Sequence, residues 1–145
     1  MKKAIPFFSI LLISVFGYGQ AYESAVQYQD KLQPAAVIEL PCPPSVVDAA
    51  MSDYLSKKGK SRSNHIKGFI TFRNTQPVQN DSVNADLYFK TEHKSKKEKE
   101  VTVVSLLLMP IEAQTNTGNL HYLTMYDAKD YLNGLAKPLM LIILS

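Results

Sequence analysis

The segment KTEHKSKKEKEVTVVSLLL, residues 90–108, decides the fold. Between Lys90 and Glu100 it carries five lysines and three glutamates, a local charge of only +2, and it then runs into a stretch that is apolar at nearly every position to Met109. Interleaved charges beside a dry run describe the wet tip of a β-hairpin, where backbone polar groups meet water and lysines guard a sticky strand against wrong pairing. The preceding VNADLYFKTEHK alternates, with Val83, Ala85, Leu87 and Phe89 on one face and Asn84, Asp86, Tyr88 and Lys90 on the other. Alternation of this kind marks an antiparallel ribbon with one solvated face. Residues 101–109 lack it, as a central strand buried on both faces would, and Pro110 ends the run.

Upstream, SVVDAAMSDYLSKKG at residues 45–59 has every local signal of an amphipathic helix. Val47, Ala50, Met51, Tyr54 and Leu55 form one stripe, Ser45 with Asp48 makes a capping-box pattern, and Gly59 follows Lys57 and Lys58 at the other end. Before it, AAVIEL is a short strand closed by PCPP. After it, HIKGFITFRN reads as a strand with Ile66, Ile70 and Phe72 on one face. Further on, LHYLTMY is a fifth strand candidate. A second helix is expected from Asp127, with Tyr126 and Tyr131 stapled across its start and Pro138 as its stop. Residues 20–34 show neither period and read as an arm or a frayed helix.

The chain has 145 residues, enough for one domain, and its 46% hydrophobic content argues for a packed core rather than disorder. The first nineteen residues, MKKAIPFFSILLISVFGYG, have the basic, apolar and small-residue parts of a secretory signal peptide. Their apolar run, about 20 Å as a helix, is too short for a hydrocarbon core of about 30 Å, so no stable membrane span is expected after cleavage. Loss of Lys2 and Lys3 leaves 14 basic against 13 acidic residues, a net charge of +1. Such a domain has no global field for polyanions, and nucleic acid is not an expected partner. Cys42 stands alone, so no internal disulfide can form, and it reads as a small buried hydrophobe.

No zincin, nucleophile-elbow, phosphate-loop or calcium-loop motif occurs. His65 and His93, with Glu92 adjacent, are the candidates for a metal site at a hairpin base, against the plainer reading of surface histidines. Lys94, Lys96, Lys97 and Lys99 are the candidates for contact with an anionic partner such as a surface polysaccharide, against that of a solvated tip.

The segments QPAAVIELPCPPSVVDAAMSDYLSKKG, KGFITFRN and ADLYFKTEHKSKKEKEVTVVSLLL resemble an uncharacterised exported protein family of Bacteroidetes-type bacteria. The resemblance implies no assigned activity and supplies no catalytic residues; it also implies a charged coiled-coil region after the second helix. This chain instead ends AKPLMLIILS, so residues 138–145 read as an apolar tail, either an edge strand or the product of a shortened reading frame.

The expectation is thus an exported, periplasmic or secreted α+β domain over residues 35–137. Its mainly antiparallel sheet of four or five strands follows the order β-α-β-β-β-(β)-α. Function is expected to be that of a non-catalytic interaction module without cofactor, meeting an envelope protein or polysaccharide. The alternative is a small-ligand or metal-binding protein that uses the open face of the sheet.

Overall fold

The computed structural model describes residues 19–57, 64–66, 68–75, 77, 84–110 and 123–145. The segment expected to be a signal peptide therefore lies outside the described residues apart from Gly19, as do Lys58, Lys60, Arg62 and Lys67. In chain order the elements are β1 (Tyr22–Tyr28), β2 (Lys31–Leu40), α1 (Pro44–Lys57), β3 (Asn64–Ile66), β4 (Phe69–Thr75), β5 (Ala85–His93), β6 (Thr102–Pro110) and α2 (Met125–Leu144). All strand pairs are antiparallel, in the spatial order β1-β2-β6-β5-β4-β3. The class is α+β, with one helix mid-chain and one at the C-terminal end.

The charged run is a hairpin tip. β5 and β6 pair from His93–Thr102 to Ala85–Pro110, and the connection is closed by Lys94 N donating to Val101 O at 2.9 Å and Glu98 N to Ser95 O at 3.2 Å. Residues 92–100 are all exposed, while Leu87, Phe89, Val104 and Leu106 are buried to 1% exposure or less. β6 lies between β2 and β5, the central place its continuous apolarity requires.

α1 and α2 cover one face of this sheet. Val47, Ala50, Met51 and Leu55 from α1 meet Ala128, Leu132, Leu135, Ala136 and Leu139 from α2 over Ala36, Ile38, Ile70, Phe72, Leu87, Phe89, Val104 and Leu106. Each large apolar side chain buried there contributes roughly 1.5–3 kcal/mol before conformational entropy is charged.

Several expectations give way to this packing. Residues 21–34 are neither arm nor helix but the β1–β2 hairpin. Its turn, Gln29 (φ 51°) and Asp30 (φ 64°), has the positive dihedrals of a type I′ turn without the usual glycine. α1 begins one residue earlier, with Pro44 where a missing N–H costs nothing. Pro43 O accepts from Val46 N and Val47 N at 3.1 Å, so Ser45 does not cap the helix. Asp48 accepts a hydrogen bond from Thr91 Oγ1 at 2.5 Å, which ties α1 to β5. HIKGFITFRN is two strands, broken at Gly68 (φ 83°), because only glycine takes that conformation without strain.

The second helix is capped by Thr124, not Asp127. Asp127 is the third residue of a capping box, with Thr124 N donating to Asp127 Oδ2 at 2.8 Å and Asp127 N to Thr124 Oγ1 at 3.3 Å. Met125 and Tyr126, expected in a strand, form its first turn, and the rest of that expected strand, residues 120–122, lies outside the described residues. Tyr126 is 72% exposed, so no staple forms. Nor does Pro138 stop the helix: residues 138–144 continue it, and the tail is not an edge strand. The cost of an internal proline, about 3 kcal/mol, is offset by seating Leu139 at 1% exposure, with Met140, Ile142 and Ile143 against the same core.

Candidate functional site

The second face of the sheet is built by a proline. The type I′ turn makes Tyr28 and Lys31 a hydrogen-bonded pair, so the odd residues of β2 bond to β1 and the even ones face β6. Ala36, Ile38 and Leu40 pair with β6, and the next even residue, Pro34, has no N–H to donate. The β2–β6 ladder ends at Ala36, and the far half of the β1–β2 hairpin is held by β1 alone.

That half folds over the sheet. In a flat sheet β1 and β4 would lie four strand spacings apart, about 19 Å. Yet the Tyr28 ring stands 5.4 Å from Phe69 of β4 and 5.5 Å from Tyr88 of β5, both edge to face. With Val26, Ala35 and Leu107 these rings form a second apolar cluster, in which Phe69 is 2% and Tyr88 9% exposed. Burial, and next the hydrogen bond with Tyr28, push the Tyr88 phenol above its ordinary pKa. Lys90 Nζ lies 5.8 Å from the centre of the Phe69 ring, a cation–π approach at the rim. Under this lid sits Thr71, 1% exposed, whose Oγ1 has no hydrogen-bond partner among the described residues.

One edge of this face carries a charged chain. Tyr22 Oη donates to Glu39 Oε2 at 3.2 Å, Lys94 Nζ stands 2.9 Å from Glu39 Oε1, and Glu98 Oε2 is 3.8 Å from Lys94. The hydrogen bond from Lys94 holds the Glu39 carboxyl below the usual carboxylate range, and Glu39 in turn raises the Lys94 ammonium. Lys94 is therefore a structural tie between the hairpin base and β2. Lys96, Lys97 and Lys99 stand exposed along the tip, with no ion pair to another described residue.

The histidine candidates are not brought together. β3 sets His65 opposite Ile70, which pairs with Phe89, while His93 lies four residues further along β5. Two strand spacings and four residues of rise separate their backbones by roughly 17 Å, too far for one ion. His93 Nδ1 instead contacts Lys99 O at 3.1 Å inside the tip, and Glu92 leaves the sheet on the opposite face. Among the described residues no group of three or more His, Cys, Asp or Glu side chains could hold a metal ion. Cys42 is buried at 6% exposure, and burial raises its thiol pKa, which suppresses the reactive thiolate. Its carbonyl accepts a 2.5 Å hydrogen bond from Thr102 Oγ1, locking the PCPP corner to β6.

Between the helices runs an open groove of about 390 Å³, lined by Val46, Ala49, Ala50, Ile142 and Ile143 with Ser45 and Asp53. Asp53 is occupied by Lys57 at 3.0 Å. Leu141 and Leu144, on the same last turns of α2, are 64% and 77% exposed. No described helix is long and apolar enough to cross a membrane.

The architecture defines an α+β protein whose antiparallel sheet is covered by two helices on one face and by its own first hairpin on the other. Compared with protein-family models, curated proteins and solved structures, the chain finds no match.

The sequence contained a signal for the second cluster that periodicity did not register. Pro34 within a β-rich segment, followed by aromatic residues at Phe69 and Tyr88 on the nominally wet face, marks where a ladder must end and what the freed hairpin can cover.

Proposed function

We propose that the protein is a non-catalytic interaction module exported to the periplasm or beyond, the export being what its resemblance to an exported Bacteroidetes-type family implies. The observation that carries this reading is the filled second face. Tyr28, Phe69 and Tyr88 pack on one another at 5.4–6.3 Å, so the face on which a small ligand would be sought is occupied by the protein's own rings. Polar side chains that chemistry would recruit serve the fold: Asp48 binds Thr91, Thr102 binds the Cys42 carbonyl, and Glu39 joins Tyr22 to Lys94. Among the described residues, what remains for contact is an unpaired sheet edge, the outer surface of the helices and the exposed hairpin tip.

The partner class this reading assigns is an envelope protein. Purified protein, immobilised and crosslinked in an extract of its own cell envelope, retains one defined protein that excess free protein competes away. Retention only of polysaccharide, abolished when Lys96, Lys97 and Lys99 are reversed in charge, would assign the contact to the hairpin tip and replace a protein partner by a glycan. Absence of any competed partner overturns the module reading.

A further inference from the structure

Among the described residues the outer edge of β1 is covered only at its start, where Ala21 N donates to Asn133 Oδ1 of α2 at 2.8 Å; from Tyr22 onward it is unguarded. Sheet edges are ordinarily blunted by lysine, proline, a bulge or shortness. The opposite edge, β3, uses shortness, at three residues. β1 uses none of these: YESAVQY spans seven residues without a lysine, a proline or a register shift. Among the described residues no strand pairs with its outer side.

The type I′ turn fixes which groups that edge offers. Tyr28, Val26, Ser24 and Tyr22 bond inward to β2, so Glu23, Ala25 and Gln27 aim their N–H and C=O groups outward. Pro34, opposite Ala25, agrees with this parity, because its missing donor faces away from β1. All three outward residues are exposed.

The strand is also nearly palindromic about Ala25: Tyr22 mirrors Tyr28, Glu23 mirrors Gln27 and Ser24 mirrors Val26. We infer that β1 pairs antiparallel with β1 of a second copy about a two-fold axis at Ala25, joining two sheets into one. The pairing sets Ala25 opposite its own copy, where a small side chain lets the backbones approach. Glu23 falls opposite Gln27, so its charge meets an amide donor and no like charge. The three outward residues of each copy exchange both main-chain bonds, six in all by the antiparallel pattern. On the other side of the ribbon Tyr22, 43% exposed, comes beside the partner's Tyr28, an aromatic cross-strand pair. An isologous interface needs this kind of self-complementarity, and a foreign strand gains nothing from the palindrome.

This inference rests on the reading of the protein as an interaction module and names a second copy as one partner. Sedimentation equilibrium of the purified protein tests it. The wild type sediments as a dimer at about 100 µM, and Ala25→Pro, which deletes both central donors without touching the β1–β2 ladder, weakens the dimer by more than about tenfold. Ala25→Glu and Ala25→Lys, at an exposed site, are each weakened by like charges at the axis, and their equimolar mixture recovers the dimer as a mixed species. Circular dichroism confirms that the variants are folded. A monomeric wild type overturns the pairing, as does a dimer that all three variants leave unchanged. A monomer that still captures a competed envelope partner removes the self-pairing alone and leaves the module reading in place.

Discussion

The two faces of this sheet are closed by different means. One is covered by α1 and α2, whose aliphatic side chains come from segments distant in sequence and bury a continuous core. The other is closed by its own first hairpin, bent across it because Pro34 ends a ladder, and three aromatic rings do most of the covering. The first face is dense and dry; the second retains a stranded hydroxyl, a lysine over a ring and a charged chain along its edge. Burial by helices gives this fold its stability, whereas burial by a hairpin shapes its second surface.

The contrast can be broken most strongly at Phe89. It is fully buried, stacks near Phe72 and Tyr131, and belongs to the helix-covered core, so Phe89→Ala is expected to cost about 3–5 kcal/mol in urea unfolding. Tyr28→Ala, which removes two edge-to-face contacts from a half-exposed lid, is expected to cost about 1–2 kcal/mol. Equal losses at the two sites would show that the faces are energetically alike.

Thr71→Val sharpens the comparison in the opposite direction. Replacing a buried hydroxyl with no partner among the described residues by a methyl of similar shape is expected to stabilise the protein by about 1 kcal/mol, read as a higher urea midpoint. Destabilisation would mean that the hydroxyl has a partner, such as a bound water.

The smallest effect is expected at the charged edge, and it depends on pH. Glu39 is held below its ordinary pKa, so its contribution is complete above the usual carboxylate range and is lost as pH falls through the folded value. Lys94 is raised, so its share is complete below the usual lysine range and is lost as pH rises through the folded value. Glu39→Gln should therefore lower the urea midpoint slightly at pH 7 and leave it unchanged in acid; the pair is partly solvated, which keeps the difference small. A deficit that persists below the carboxylate range would trace it to packing instead.

How much of this was legible differs element by element. The β5–β6 hairpin and the stripe of α1 were, because alternation in β5, continuous apolarity in a central β6 and the helical period in α1 are each patterns within one segment. β1 was not, since Val26 is its one buried side chain and a single buried position shows no period. The capping box at Thr124 was readable in principle as Thr followed by Asp three residues later, but LHYLTMY before it has the composition of a strand. Pro138 was read by its local preference, which the core contact of Leu139 overrides. For the candidate residues, spacing named His65 and His93 as neighbours, and only the register of β3, β4 and β5 could part them.

By itself the sequence determined the elements whose cause is local: charges and apolar runs that alternate or cluster, and prolines that remove a donor. Tertiary structure alone decided what a ladder's end makes possible, namely that a hairpin freed by Pro34 turns back over Phe69 and Tyr88. The physical reason is range, since propensity and capping act within a turn or two, while the closure of a sheet face is settled by contacts between residues some forty to sixty apart in the chain.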